Sequence, residues 1–209
     1  MDNMKLADLS IKEFLAKTAS GSPVPGGGSI AALSAAIAAS LSEMVANLTI
    51  GKKGYEEKEK QMKVIKKATN DFRNKLIKDI DRDSDAYNDV LAAFRLPKSS
   101  ELEENFRKEA IQDAFKKASL VPLDVAKNAF KIIELAEKVV KHGNKNAVTD
   151  GAVAVMMART AVLSALYNVK INLASIKDKD FVKRIRKDVK SLESEIKNKE
   201  RKILSHLSI

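Results

Sequence analysis

The chain contains no cysteine and no tryptophan, and its 209 residues include only three tyrosines, four prolines and eight glycines. Each scarcity excludes something. Without cysteine there is no disulfide, no thiolate nucleophile and no cysteine-ligated zinc, which leaves carboxylate or amine chemistry and a cytoplasmic setting as the expectation. The first residues, MDNMKLADLSIKEF, place acids where a secretory leader needs charge of the other sign and lack its apolar centre, so no leader is expected. With so few breakers, and three of the glycines bunched at Gly26, Gly27 and Gly28, long helices can run uninterrupted, and no segment reads as a convincing strand. The expected fold class is all-α.

The charge balance is one-sided, at +10. Such an excess suits nucleic acid or any polyanionic small ligand. The lysines are interleaved with acids in KKGYEEKEKQMKVIKKA and in DKDFVKRIRKDVKSLESEIKNKERK, the pattern of solvated helix faces. Few aromatics and no RNA-binding signature accompany them, so no nucleic-acid partner is expected.

A hydrophobic content of 44% over this length fits one packed domain spanning residues 1–209. Two segments approach the length of a membrane span, SIAALSAAIAASLSEMVANLTI and AVTDGAVAVMMARTAVLSALYNVKINLASI. Both are alanine-rich and interrupted by Glu43, Asn47, Asp150 and Arg159, so they are expected to be buried core helices rather than spans. Ala31, Ala35, Ala38 and Ala39 would admit a close neighbour. About seven helices are expected in all, over residues 5–18, 29–49, 55–95, 100–119, 121–142, 147–175 and 180–207. The last carries a stripe at Phe181, Ile185, Val189, Leu192, Ile196, Ile203 and Leu207, which is expected to pack against another helix, in the same subunit or, by preference, across a homodimer.

Chemistry first shows in the third helix. Its apolar face runs through Met62, Ile65, Phe72, Leu76 and Ile80 and resumes at Tyr87, Val90 and Phe94, with Asp83 where an aliphatic residue belongs. A carboxylate on a core-facing stripe must be paired, hydrogen-bonded or turned to a pocket. Asp79, Asp81, Asp85 and Asp89 lie off that line and read as solvated. The alternating aspartates do not form a calcium loop, because Ser84 replaces its glycine and Val90 its terminal glutamate. In the later alanine-rich helix a second polar line runs from Asp150 through Ala154, Met157, Ala161 and Ser164 to Asn168 and Asn172, small residues leaving room for a heterocycle. Asp150 serves equally well as a complement to its helix N-terminus, and the two asparagines equally well as bridges to backbone groups. Glu43 and Asn47 form another i,i+4 pair that periodicity alone leaves on the surface or in a site. His142 and His206 have no partners at ligand spacing, so no metal is expected.

The stretch SPVPGGGSIAAL, Ser22 to Leu33, formally matches a dinucleotide-binding turn, but no hydrophobic strand precedes it and no P-loop lysine follows. Glycines there permit positive φ or close approach, and Ser29 can cap the following helix. A ligand-contacting loop and a tight structural turn both satisfy these residues.

In sequence order, SGSPVPGGGSIAALSAAIAASLSEMVANLT, GKKGY, DRDSDAYNDVLAAFRLPK, VPLDVA, TDGAVA and ALYNVKINL resemble the cyclodeaminase/cyclohydrolase family of folate enzymes over nearly the whole chain. The resemblance implies an all-helical homodimer acting on a tetrahydrofolate derivative, with one glutamate or a polyglutamate tail, and no cofactor beyond that substrate. It implies either hydrolysis of 5,10-methenyltetrahydrofolate to 10-formyltetrahydrofolate or cyclisation of 5-formiminotetrahydrofolate with loss of ammonia; a folate binder of the same fold without turnover is the remaining alternative. The missing formiminotransferase domain favours the hydrolase. By the same resemblance Asp83 is the first catalytic candidate and Asp150 the second. Gly26, Gly27, Gly28 and Ser29 would line the site, Asn47, Asn168 and Asn172 would hold the pterin or the one-carbon bridge, and Lys52 and Lys53 would meet the glutamate tail.

Overall fold

The computed structural model describes residues 5–205 and residue 207; His206, in the C-terminal tail, lies outside them. Six α-helices account for most of the described residues: α1 (Ile11–Thr18), α2 (Gly27–Asn47), α3 (Glu59–Phe94), α4 (Glu101–His142), α5 (Val148–Leu173) and α6 (Lys179–Leu204). There is no strand among the described residues. Local sequence sets several of the ends. Ser10 with Glu13 and Ser100 with Glu103 form capping boxes at the starts of α1 and α4, satisfying backbone donors that the first turn leaves free. Gly51 and Gly54 take the left-handed backbone, φ 72° and 87°, and turn the chain between α2 and α3.

The two alanine-rich helices form the centre. α2 packs against α3, α4 and α5, and α5 against α4 and α6. Ala31, Ala32, Ala35, Ala38 and Ala39 of α2 and Ala154, Ala158, Ala161 and Ala165 of α5 are fully buried. With methyl groups on the facing surfaces, the axes can sit near the lower end of the usual 8–10 Å separation, about 8 Å. Both helices are long and apolar enough to cross a membrane, and 61% and 50% of their apolar windows are buried inside the protein.

Three expectations are corrected. First, the break expected between residues 119 and 121 does not occur: α4 runs unbroken from Glu101 to His142 with Pro122 inside it, so there are six α-helices among the described residues rather than seven. Second, the stripe on α6 does not serve a second subunit. Phe181, Ile185, Val189, Ile196 and Ile203 are buried in the core of their own chain, because α4 and α5 offer an apolar groove to which the narrow stripe is complementary. Third, Asp79 is not solvated. It is only 2% exposed, and its oxygens accept from Lys75 Nζ and Arg82 Nη1, each at 3.1 Å. Both cations also reach Asp124 of α4, at 3.6 and 3.3 Å, so the four groups clasp α3 to α4. Asp81 is half-buried as well and accepts the Leu6 backbone N–H at 2.6 Å. Asp85 and Asp89 are exposed as expected.

Candidate functional site

The glycine turn leads into α2 through a cis Val24–Pro25 peptide. Gly26 is the N-cap of α2, with extended backbone at φ −110° and no side chain to cap with. None of Gly26, Gly27 and Gly28 has positive φ, so the turn needs their small size rather than a special backbone conformation. Gly28 shows why. A Cβ there would overlap the carboxylate of Asp83, and a Cβ on Gly27 would come within 3.1 Å of Asn168 Nδ2. Ser29 is not a cap either. It sits in the first turn, fully buried, with its hydroxyl turned to α3: Oγ lies 3.0 Å from Ile80 O, 3.2 Å from Asp83 Oδ2 and 3.2 Å from Ser84 Oγ.

Asp83 thus supplies from α3 the acceptor that glycine cannot supply at the start of α2. The Ser29 hydroxyl donates to it at 3.2 Å, and the nearby Ser29 backbone N–H also favours its charged form. No lysine or arginine lies within ion-pair distance of Asp83 among the described residues, since Arg82 one position earlier points to Asp79 and Asp124. Burial of the carboxyl therefore dominates and pushes its pKa above the usual carboxylate range, with the hydroxyl and backbone N–H of Ser29 pulling the other way. A carboxylate so placed takes and returns protons at higher pH than a solvated one.

Asp83 opens on a cavity of about 450 Å³ between the α2 N-terminus, α3, α4 and α5, a size that suits a fused heterocycle. Gly26 to Gly28 form one rim; Tyr87 and Phe94 of α3 and Phe115 of α4 form an aromatic wall; Asn168 and Asn172 of α5 supply polar groups. Phe94 and Phe115 meet edge to face with centroids 6.1 Å apart. Tyr87 and Phe94 remain 38% and 46% exposed, which is unusual for rings that continue a core stripe. The Arg107 guanidinium lies 5.8 Å above the Phe94 ring and donates twice to Phe94 O, at 3.2 and 3.0 Å.

The expected site residues thus divide by location. Gly26, Gly27, Gly28, Asp83, Asn168 and Asn172 come together at the cavity, with Ser29 behind Asp83. Asp150 does not join them within this chain. It occupies the first turn of α5, about five turns or ~27 Å of helix from Asn168, and the small residues between are packed in the core rather than open. Asn47 is exposed at the end of α2, about 30 Å along the helix from Gly27. Lys53 is exposed nearby and Lys52 Nζ donates to Asn144 Oδ1 at 2.9 Å, part of the packing of that far end. Tyr87, Phe94 and Phe115 line the cavity without being among the expected site residues. The signal for the first two was present in the α3 stripe, where large rings follow directly on the misplaced carboxylate.

The fold and cavity define an all-helical protein with a desolvated carboxylate at a helix N-terminus facing an aromatic-walled pocket. A family model described as formiminotransferase-cyclodeaminase matches residues 10–191, and the chain belongs to that family. It is 39% identical over 186 residues to a methenyltetrahydrofolate cyclohydrolase of Methylorubrum extorquens, covering 89% of each chain. It is 30% identical over 202 residues to the formimidoyltransferase-cyclodeaminase of Rattus norvegicus, covering 97% of this chain and 37% of that longer one. The solved structure of a formiminotetrahydrofolate cyclodeaminase from Thermotoga maritima superposes with a TM-score of 0.85 at 34% identity, covering 95% of this chain and 96% of the other.

Proposed function

We propose that this protein hydrolyses 5,10-methenyltetrahydrofolate to 10-formyltetrahydrofolate, with Asp83 as the proton carrier. The observation that carries the reading is the position of Asp83: half-buried, held by Ser29, free of cationic partners among the described residues and open to the cavity. The methenyl carbon is flanked by N5 and N10 and shares their positive charge. Water adds to that carbon while Asp83 takes the proton from it, giving a tetrahedral carbon bearing a hydroxyl. Asp83 then returns the proton to N5 as the carbon–N5 bond breaks, and the hydroxyl gives its own proton to solvent as the C=O forms, leaving the formyl group on N10 and releasing one proton overall. The same carboxylate opposes the cationic charge of the bridge, and the steps require no cofactor beyond the substrate.

A second reading has the support of the Thermotoga relative, which matches over nearly its whole length. In it N10 attacks the formimino carbon, its proton passes through Asp83, and ammonia leaves. Both readings place the pterin against the aromatic wall and the amides of Asn168 and Asn172. The working unit is a homodimer in the cytoplasm, without a membrane or nucleic-acid partner. Support for the dimer comes from an apolar stripe left on the outer sides of the two central helices, at Ile37 and Met44 of α2 and Val153, Met156, Tyr167 and Ile171 of α5, all more than a third exposed.

The test is to add the purified protein separately to 5,10-methenyl- and 5-formiminotetrahydrofolate. Loss of methenyl absorbance above the uncatalysed rate supports the first reading, and its appearance together with ammonia supports the second. Saturable binding without turnover of either would make the protein a folate binder, and neither binding nor turnover would overturn the assignment.

A further inference from the structure

Pro122 lies in the interior of α4 and has no N–H to donate to the carbonyl four residues earlier, that of Ala118. Ala118 is buried, so its oxygen requires another donor. The donor is the side chain of Asn172, whose Nδ2 lies 2.7 Å from Ala118 O. Ala118 and Asn172 both line the cavity, whereas Pro122 does not. A carbonyl can only accept, so the amide of Asn172 must turn its NH2 to Ala118, and the orientation is dictated by chemistry. Asn168 is fixed in the same sense, with Nδ2 donating to Ser164 O at 2.9 Å. The oxygens of both amides are the groups left for a ligand.

We propose that Pro122 is a positioning residue for the substrate. By withholding a backbone N–H it draws the NH2 of Asn172 to Ala118, and so presents Asn172 Oδ1 to the cavity as an acceptor for an N–H-bearing edge of a heterocycle. The folate reading supplies the identity of that heterocycle, a pterin with ring N–H and amino donors; the coupling of Pro122 to Asn172 stands on the hydrogen bond alone. Alanine at position 122 restores the helical bond to Ala118 O, and the Asn172 amide is then free to turn either way.

The experiment compares wild type, Pro122→Ala, Asn172→Ala, the double variant and Asn172→Asp in the full chain. In ligand-free, 15N-labelled protein, the Asn172 side-chain NH2 signal, assigned by its loss in Asn172→Ala, should be protected from exchange in wild type and lose that protection in Pro122→Ala. With 5,10-methenyltetrahydrofolate, Pro122→Ala should raise KM about fivefold, the worth of one net hydrogen bond, with kcat within about twofold and no fall in Tm. The double variant should be no worse than Asn172→Ala alone. Asn172→Asp keeps an acceptor but cannot donate to Ala118 O, so it should also lose affinity; this arm does not depend on Pro122→Ala folding. An Asn172 signal indifferent to residue 122, KM effects that multiply in the double variant, or wild-type affinity in Asn172→Asp overturns the proposal. If wild type neither binds nor converts either folate, the folate reading fails, and the exchange measurement alone decides the coupling.

Discussion

At Asp83 two opposing influences can be separated by substitution. Desolvation raises its pKa while the Ser29 hydroxyl and N–H lower it. Ser29→Ala removes one lowering donor, so the acid limb of kcat/KM against pH should move to higher pH, with lost activity at neutral pH recovered in more alkaline buffer; an unmoved limb would separate the limb from Asp83. Asp83→Asn keeps the volume and removes the base, and turnover should fall by about 10²–10⁴-fold. The sign for stability follows from the same shift. An acid whose folded pKa lies above its unfolded value binds more protons folded than unfolded, so its ionisation costs stability as pH rises from the unfolded pKa through the folded one. Asp83→Asn should therefore match or exceed wild type in Tm at neutral pH, with the difference closing below the ordinary aspartate range; a lower Tm at pH 7 would show that the helix-capping bonds outweigh desolvation. Gly28→Ala tests the space itself. Its Cβ would displace the Asp83 carboxylate, so kcat should fall nearly as far as in Asp83→Asn while the helical circular dichroism is kept.

Among the elements, α3 must hold Asp83 in register with α2 while its outer side stays fixed to α4. The clasp of Lys75, Asp79, Arg82 and Asp124 does the second task one turn from the first. Arg82→Ala leaves the buried Asp79 with Lys75 alone and should lower stability by about 1–3 kcal/mol in urea unfolding, with KM near wild type; a large KM change at unchanged stability would mean that the clasp positions Asp83. The apolar stripe of α3 made Asp83 legible because period and chemistry disagreed at one position. Asp79 was not legible, since burial by a neighbouring helix with its own charged partners leaves no periodic trace. The break expected at Pro122 failed for a related reason. Proline removes one hydrogen bond and disfavours helix before it, but a donor from α5 replaces what was lost, and packing along the rest of α4 keeps the helix whole.

For the molecule as a whole, helical class and the two central alanine helices followed from composition, whereas the spatial grouping of motifs did not. Asp150 and Asn168 share a helix face in sequence, yet a rigid rod of about five turns keeps them ~27 Å apart. Lys52 and Lys53, tail-binding candidates by resemblance, lie at the other end of α2, which nothing in their spacing reveals. The stripe on α6 is buried in its own chain, which its sequence does not reveal, because a narrow stripe on a charged helix reads alike whether its partner is in the same chain or another. The exposed stripe on α2 and α5 is the better candidate for a two-fold contact, since the same patch can face itself across the axis. Tyr167 is 67% and Ile171 69% exposed, and Ile171 also lines the cavity, so the contact would border the site. Met156 lies in the stripe but away from the cavity, about four turns of α5 before Ile171. Met156→Glu should place a charge in this apolar contact and shift the protein in light scattering from twice the mass of one chain to a single one, with helicity kept and KM raised. Wild type that is monomeric at assay concentration, or a Met156→Glu dimer as tight as wild type, would remove this face from the assembly.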